Sequence, residues 1–190
     1  DRSFWFLAAA FGLTMTGLSS LLLNQVAILV DRGMAATQAS WVLGATAAMG
    51  VVGKLGFGSL LDRFDQRRVA AACFVLQAAG VVLLWQTHSP AALVCFVILY
   101  GYAMGGNATL QASLVGATFG RLHYGAIAGR MTPLLVLAQG LGVPATGWLR
   151  DTTGSYGLAL AAVMVGGLMA AVIVLRVRPT PPLQHPDASH

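Results

Sequence analysis

Charge in this chain is confined to short islands between long apolar runs. The clearest island, Asp62-Arg63-Phe64-Asp65-Gln66-Arg67-Arg68, is entered from an apolar run (51–61) and left at once by another (69–85). Only 9% of residues are charged and 57% are hydrophobic, whereas a soluble domain spreads about 25% charged residues over its surface. A membrane span needs about 20 apolar residues, and six runs meet that ruler: 4–30, 40–61, 69–86, 91–117, 124–149 and 157–175. In lipid the backbone must satisfy its own polar groups, which leaves helices or a closed barrel. Barrel strands alternate over about 10 residues; these runs are continuous. The expectation is an all-α membrane protein with six transmembrane helices over 1–178. Short connections predict an up-and-down bundle. The proline-rich segment 179–190 reads as a disordered cytoplasmic tail.

The net charge of +5 does not read as a nucleic-acid surface, because the basic residues segregate by side. If the 62–68 loop is cytoplasmic, Arg2, Arg63, Arg67, Arg68, Arg121, Arg176 and Arg178 share its side, and only Arg32 and Arg150 face the other. Positive residues stay inside, so both termini are expected in the cytoplasm, with a bacterial inner membrane as the location. The chain starts at Asp1 with no basic-then-apolar leader and reads as a piece of something longer. Cys73 and Cys95 fall within spans as small apolar residues, His185 and His190 lie in the tail, and no cofactor or metal site is read.

Glycine, with 23 copies, lies mostly inside spans, where small residues let helices approach. Gly101/Gly105, Gly116/Gly120 and Gly125/Gly129 each have the small-xxx-small spacing. There is also an internal echo. Gly58-Ser-Leu-Leu-Asp62 closes the second span and Gly147-Trp-Leu-Arg-Asp151 the fifth, on opposite sides of the membrane. Two three-helix units related by inversion produce that arrangement.

The stretch from Gly58 to Arg68 resembles the G-x-x-x-D-R-x-G-R-[KR]-[KR] signature of the major facilitator superfamily, with Asp65 in place of the second glycine. Val30-Asp31-Arg32-Gly33, Phe119 to Gly129, and Gly147 to Asp151 with Thr153-Gly154-Ser155-Tyr156 are similar to the oxalate/formate antiporter and monocarboxylate transporter branch. The resemblance implies the C-terminal half of a twelve-helix fold, partnered by an N-terminal six-helix half. It implies a secondary active transporter of small organic anions, mono- or dicarboxylates, working by alternating access.

Lys54 is the sharpest single residue. It lies eight positions before Asp62, about 12 Å into its helix, where a charge costs at least about 2.5 kcal/mol. Gly50 and Gly58 on its stripe leave room for an anion; the alternative is a stem reaching the interface. The resemblance places a carboxylate-binding cation here, usually arginine. Arg130 sits at similar depth on the fifth span, and two like charges in one cavity call for an anion between them. Its alternative is likewise a side chain reaching the headgroups. Asn107 and Gln111, an i,i+4 pair on the fourth span, either bind substrate or tie helices together. Asn24, Gln25 and Gln139 read as similar interhelix polarity. Gly58, Asp62, Arg63 and Arg67 are expected to gate, Asp62 against a partner helix N-terminus; the alternative is a loop that only fixes topology. Pro133 and Pro144 interrupt the fifth span, and Trp5, Trp41, Trp85 and Trp148 mark span ends.

The chain has no glutamate, and every aspartate lies outside a span. This argues against an intramembrane aspartyl or zinc protease, and no enzymatic role is expected. It also leaves this half without a buried proton carrier, so that either coupling sits in the missing half or the protein exchanges anions. A drug or sugar carrier of another branch, or a non-transporting subunit, are the competing readings.

Overall fold

The computed structural model of the protein describes residues 2–85, 89–120 and 124–177. Six helices form: α1 Arg2–Asp31, α2 Ala36–Leu61, α3 Gln66–Trp85, α4 Pro90–Phe119, α5 Tyr124–Thr153 and α6 Gly157–Leu175. Each is long and apolar enough to cross a membrane, and the protein is a multi-pass, all-α integral membrane protein. Most helices overrun the apolar run that predicts them, because a helix continues until a capping signal stops it. Pro90 opens α4 at its first turn. Gly33, at φ 89°, ends α1; its N–H bonds the Val30 carbonyl at 2.9 Å and that of Met34 bonds Leu29 at 3.1 Å, a Schellman closure. Gln86, Arg121, His123, Arg178 and the expected 179–190 tail with His185 and His190 lie outside the described residues.

Apart from α3 and α4, consecutive helices are not the main neighbours. α2 packs most extensively on α4 and α1 on α5, while α3 lies against α4 and α6, and α6 also against α1. α2 barely meets α3, and α5 meets α6 little more. The bundle expected from short connections is therefore interleaved: each triplet lays its second helix on the first helix of the other. Small residues dictate this, since only a side-chain-free surface lets two apolar helices come close when no water drives them together.

The two crossings repeat one another residue for residue. A Cβ on Gly53 would collide with the Tyr102 carbonyl, one on Gly105 with the Gly50 carbonyl, and one on Gly106 would come 2.5 Å from the Phe57 ring. At the other crossing a Cβ on Gly142 would collide with the Thr16 carbonyl. There Ser19 Oγ donates to the Gln139 carbonyl at 3.0 Å, and Ser20 and Thr146 share a hydroxyl–hydroxyl hydrogen bond. Moving Gly58 onto Gly147 advances α2 by 89 positions, carrying Gly50, Gly53 and Phe57 onto Gln139, Gly142 and Thr146. Their partners Gly105, Tyr102 and Gly106 fall on Ser19, Thr16 and Ser20 at one constant offset of 86. The five-residue echo thus sets the register of an inverted repeat. Gly116, Gly125 and Gly129 share the small-xxx-small spacing, yet an added Cβ there meets nothing within 4 Å.

The proline-bearing α5 runs unbroken through Pro133 and Pro144. Each proline withholds a donor from the carbonyl four residues back, at Gly129 and Gly140; just ahead of the second, α1 brings hydroxyls to α5, Thr16 Oγ1 donating to Ala138 at 2.9 Å beside the Ser19 bond to Gln139. Two apolar cores fill the interior. One is built around Phe11 and Phe74, packed edge to face at 5.5 Å, and the other around stacked Phe96 and Tyr100. The ends of the bundle differ in charge. Arg67 Nη1 donates to the Val177 carbonyl at 3.1 Å, which joins the α3 start to the α6 end. At the opposite end Arg150 pairs with Asp31 at 3.0 Å and Arg32 donates to the Leu84 carbonyl.

Candidate functional site

α2 turns Gly50, Gly53 and Phe57 inward. Lys54 stands next to that stripe, and its own backbone nitrogen lies 2.8 Å from where a Gly105 Cβ would be. The glycine crossing therefore seats Lys54 at the rim of the α2–α4 contact, with its side chain exposed. One turn on, Gly58 has open space beside it, whereas one turn back a Cβ on Gly50 would come 2.8 Å from the Met104 methyl. On α4, Gln111 is half-buried two turns beyond Met104. Asn107, between them, is only 2% exposed. Its Nδ2 donates to the Met104 carbonyl at 3.2 Å, and its Oδ1 is enclosed without a partner.

Arg130 lies on α5, the helix of the other crossing, more than two turns before the residues that make that crossing. α5 buries Met131, Leu135, Gly142 and Thr146 toward its neighbours, and Arg130 is exposed alongside Leu134, Leu137 and Leu141. Lys54, Asn107 and Gln111 thus belong to one helix pair, and Arg130 to a separate pair. α2 and α5 are the two least buried helices, so both cations project from faces this chain leaves open. The residues read as interhelix polarity divide: Gln25 Nε2 donates to Thr46 Oγ1 on α2 at 3.1 Å, whereas Asn24 donates to Ser20 of its own helix at 2.8 Å.

In the signature loop, Asp62 follows the last turn of α2, and Asp62 and Arg63 are exposed, with no ion pair among the described residues. Asp65 caps α3: its Oδ1 accepts from the backbone N–H of Arg67 at 2.9 Å and of Arg68 at 3.3 Å. Its backbone is not left-handed, so this turn does not require the glycine that Asp65 replaces. The Arg67 guanidinium pairs with Asp65 at 3.1 Å and holds its carboxyl below the usual carboxylate range. Arg67 is thus engaged within this half, at Asp65 and Val177, whereas Asp62, Arg63 and the bare flank at Gly58 stay open. The Asp65 cap could have been found in the sequence, as an aspartate just ahead of an apolar helix. The Asp31–Arg150 pair, with Arg150 also 5.8 Å from the Tyr156 ring centre, joins residues too far apart for spacing to reveal.

Comparison with known proteins agrees with this architecture. The family model described as Major Facilitator Superfamily matches residues 4–190. The chain is 28% identical over 158 residues to monocarboxylate transporter 12-B of Danio rerio, covering 80% of this chain and 33% of that protein. It is 27% identical over 185 residues to a 2-nitroimidazole transporter of Escherichia coli (strain K12), covering 92% of this chain and 46% of that one. It therefore spans between a third and a half of the length of these relatives. Among solved structures, an Escherichia coli fucose:proton symporter superposes with a TM-score of 0.79 at 17% identity, over 95% of this chain and 44% of the symporter. The six helices are thus half of that fold, in its interleaved, inverted-repeat form. With the family model matching nearly its whole length, the chain belongs to the Major Facilitator Superfamily.

Proposed function

We propose that this chain is the C-terminal half of a secondary active transporter of small organic anions, mono- or dicarboxylates, that works by alternating access. The observation that carries the reading is Lys54: a cation deep along a spanning helix, exposed at the edge of the glycine crossing. A charge at such depth is costly unless a partner or a water-filled cavity receives it. The acidic side chains on the spanning helices, Asp31 and Asp151, lie in last turns and pair with Arg150, so neither serves as that partner. A visiting carboxylate fits the role. Gln111 would add a hydrogen bond from α4. Asn107, enclosed in this conformation, keeps an acceptor that a shift of α4 would uncover. Arg130 would approach the anion from α5, across the space completed by the N-terminal half. The similarity to a monocarboxylate transporter supports the substrate class.

Gating falls to Gly58, Asp62 and Arg63, whose open flank and free charges suit docking against a helix end of the partner half, with Arg67 holding their loop in shape. Both termini would lie in the cytoplasm of a bacterial inner membrane, because the end bearing Arg2, Arg63, Arg67, Arg68 and Arg176 is the more basic one. The decisive test is uptake and counterflow by the complete transporter in proteoliposomes. Lys54→Gln should lower carboxylate counterflow by more than about 10-fold, the weight of one charge-assisted hydrogen bond, and Lys54→Arg should restore most of it. Carboxylate transport that survives Lys54→Gln would end this reading. It would favour the second one, a drug-type carrier, which the similarity to a 2-nitroimidazole transporter over 92% of this chain supports.

A further inference from the structure

The basic end of the bundle holds a cleft of about 570 Å³ between the first turn of α1, the first turn of α3 and the end of α6. Arg2, Arg67 and Arg176 line it, over an apolar floor of Phe6, Leu175 and Val177. Arg67 is half spent on Asp65 and on the Val177 carbonyl. Arg2 and Arg176 are exposed and have no ion pair among the described residues. The cleft therefore carries an excess of positive charge, to which the positive ends of α1 and α3 add and from which the negative end of α6 subtracts.

We infer that this cleft holds the phosphate of an anionic phospholipid. Its position argues for a lipid rather than a dissolved anion. The floor is apolar; Leu175, which lines the cleft, is exposed and heads a stripe of α6 that runs back through exposed Val172 and Leu168, and exposed Trp5 is next in the chain to Phe6, the kind of surface acyl chains cover. Trp5 sits where an indole marks headgroup depth. Basic pockets between helices at the cytoplasmic side bind such headgroups. The cleft is built by α1, α3 and α6, away from the α2–α4 rim that carries Lys54, so this site is independent of the transported solute.

The test is retention of phosphatidylglycerol against phosphatidylcholine by the purified full-length protein, read by native mass spectrometry after extraction from nanodiscs of mixed composition. Arg2→Gln with Arg176→Gln should cut phosphatidylglycerol retention roughly 30-fold, the combined weight of two surface cations. Arg63→Gln with Arg68→Gln removes the same charge from the same end outside the cleft and should leave retention unchanged. Equal losses in both pairs would mean diffuse attraction and overturn the site. Binding of inorganic phosphate in lipid-free detergent, with no phosphatidylglycerol retained, would assign the cleft to a soluble anion and remove the lipid.

Discussion

Asp65 stands where the signature has its second glycine, with Gln66 in place of the arginine that follows, and the Asp65 carboxylate explains the tolerance of the turn. Two backbone N–H groups and the Arg67 guanidinium converge on it. Asp65→Ala should cost about 1 kcal/mol, the usual weight of an N-cap, measured by thermal unfolding in detergent, and Asp65→Asn should lose less. Because Arg67 lowers the folded carboxyl's pKa, the contribution of Asp65 is complete above the unfolded value of about 3.9. It disappears as pH falls through the lower folded value, and solvent screening keeps it small. At this scale the sequence was informative about type and less so about company. Lys54 is conspicuous by depth alone. Asn107 and Gln111 look alike in a helical stripe, yet one is enclosed and the other half-open, because a stripe gives the direction a side chain takes and not how far along the helix its cover extends.

Helix crossings show what spacing can and cannot reveal. Gly101/Gly105 and Gly116/Gly120 read identically, but only the first pair faces another backbone. A small residue permits an approach without naming the helix that makes it. Gly53→Ala or Gly105→Ala should destabilise the bundle by about 2 kcal/mol or more, as overpacking does. Gly116→Ala and Gly129→Ala, with room for the methyl group, should be neutral or stabilising in the same melting experiment. At the hydroxyl-lined crossing, Ser20→Ala should cost only about 0.6 kcal/mol, the mean value of an interhelix hydrogen bond in membranes.

The whole molecule is where local sequence is least sufficient. Six spans and the segregation of arginine are visible in composition, because hydrocarbon tolerates little else. The interleaving is not, since it joins residues more than a hundred positions apart, such as Ser20 and Thr146. Only the Gly58/Gly147 echo hints at it. The Asp31–Arg150 pair closes the less basic end across α1 and α5. Being partly exposed, it should contribute about 0.2–1 kcal/mol: Arg150→Asp should lower the melting temperature slightly, and adding Asp31→Arg should recover it.

One crossing is a fit and the other a set of bonds. Short-chain alcohols compete for what Ser19 and Ser20 hold, but find nothing to replace between Gly105 and the Gly50 carbonyl. Loosening in such cosolvents should begin along α1 and α5, with deuterium entering near Gly142 well before it enters near Gly53.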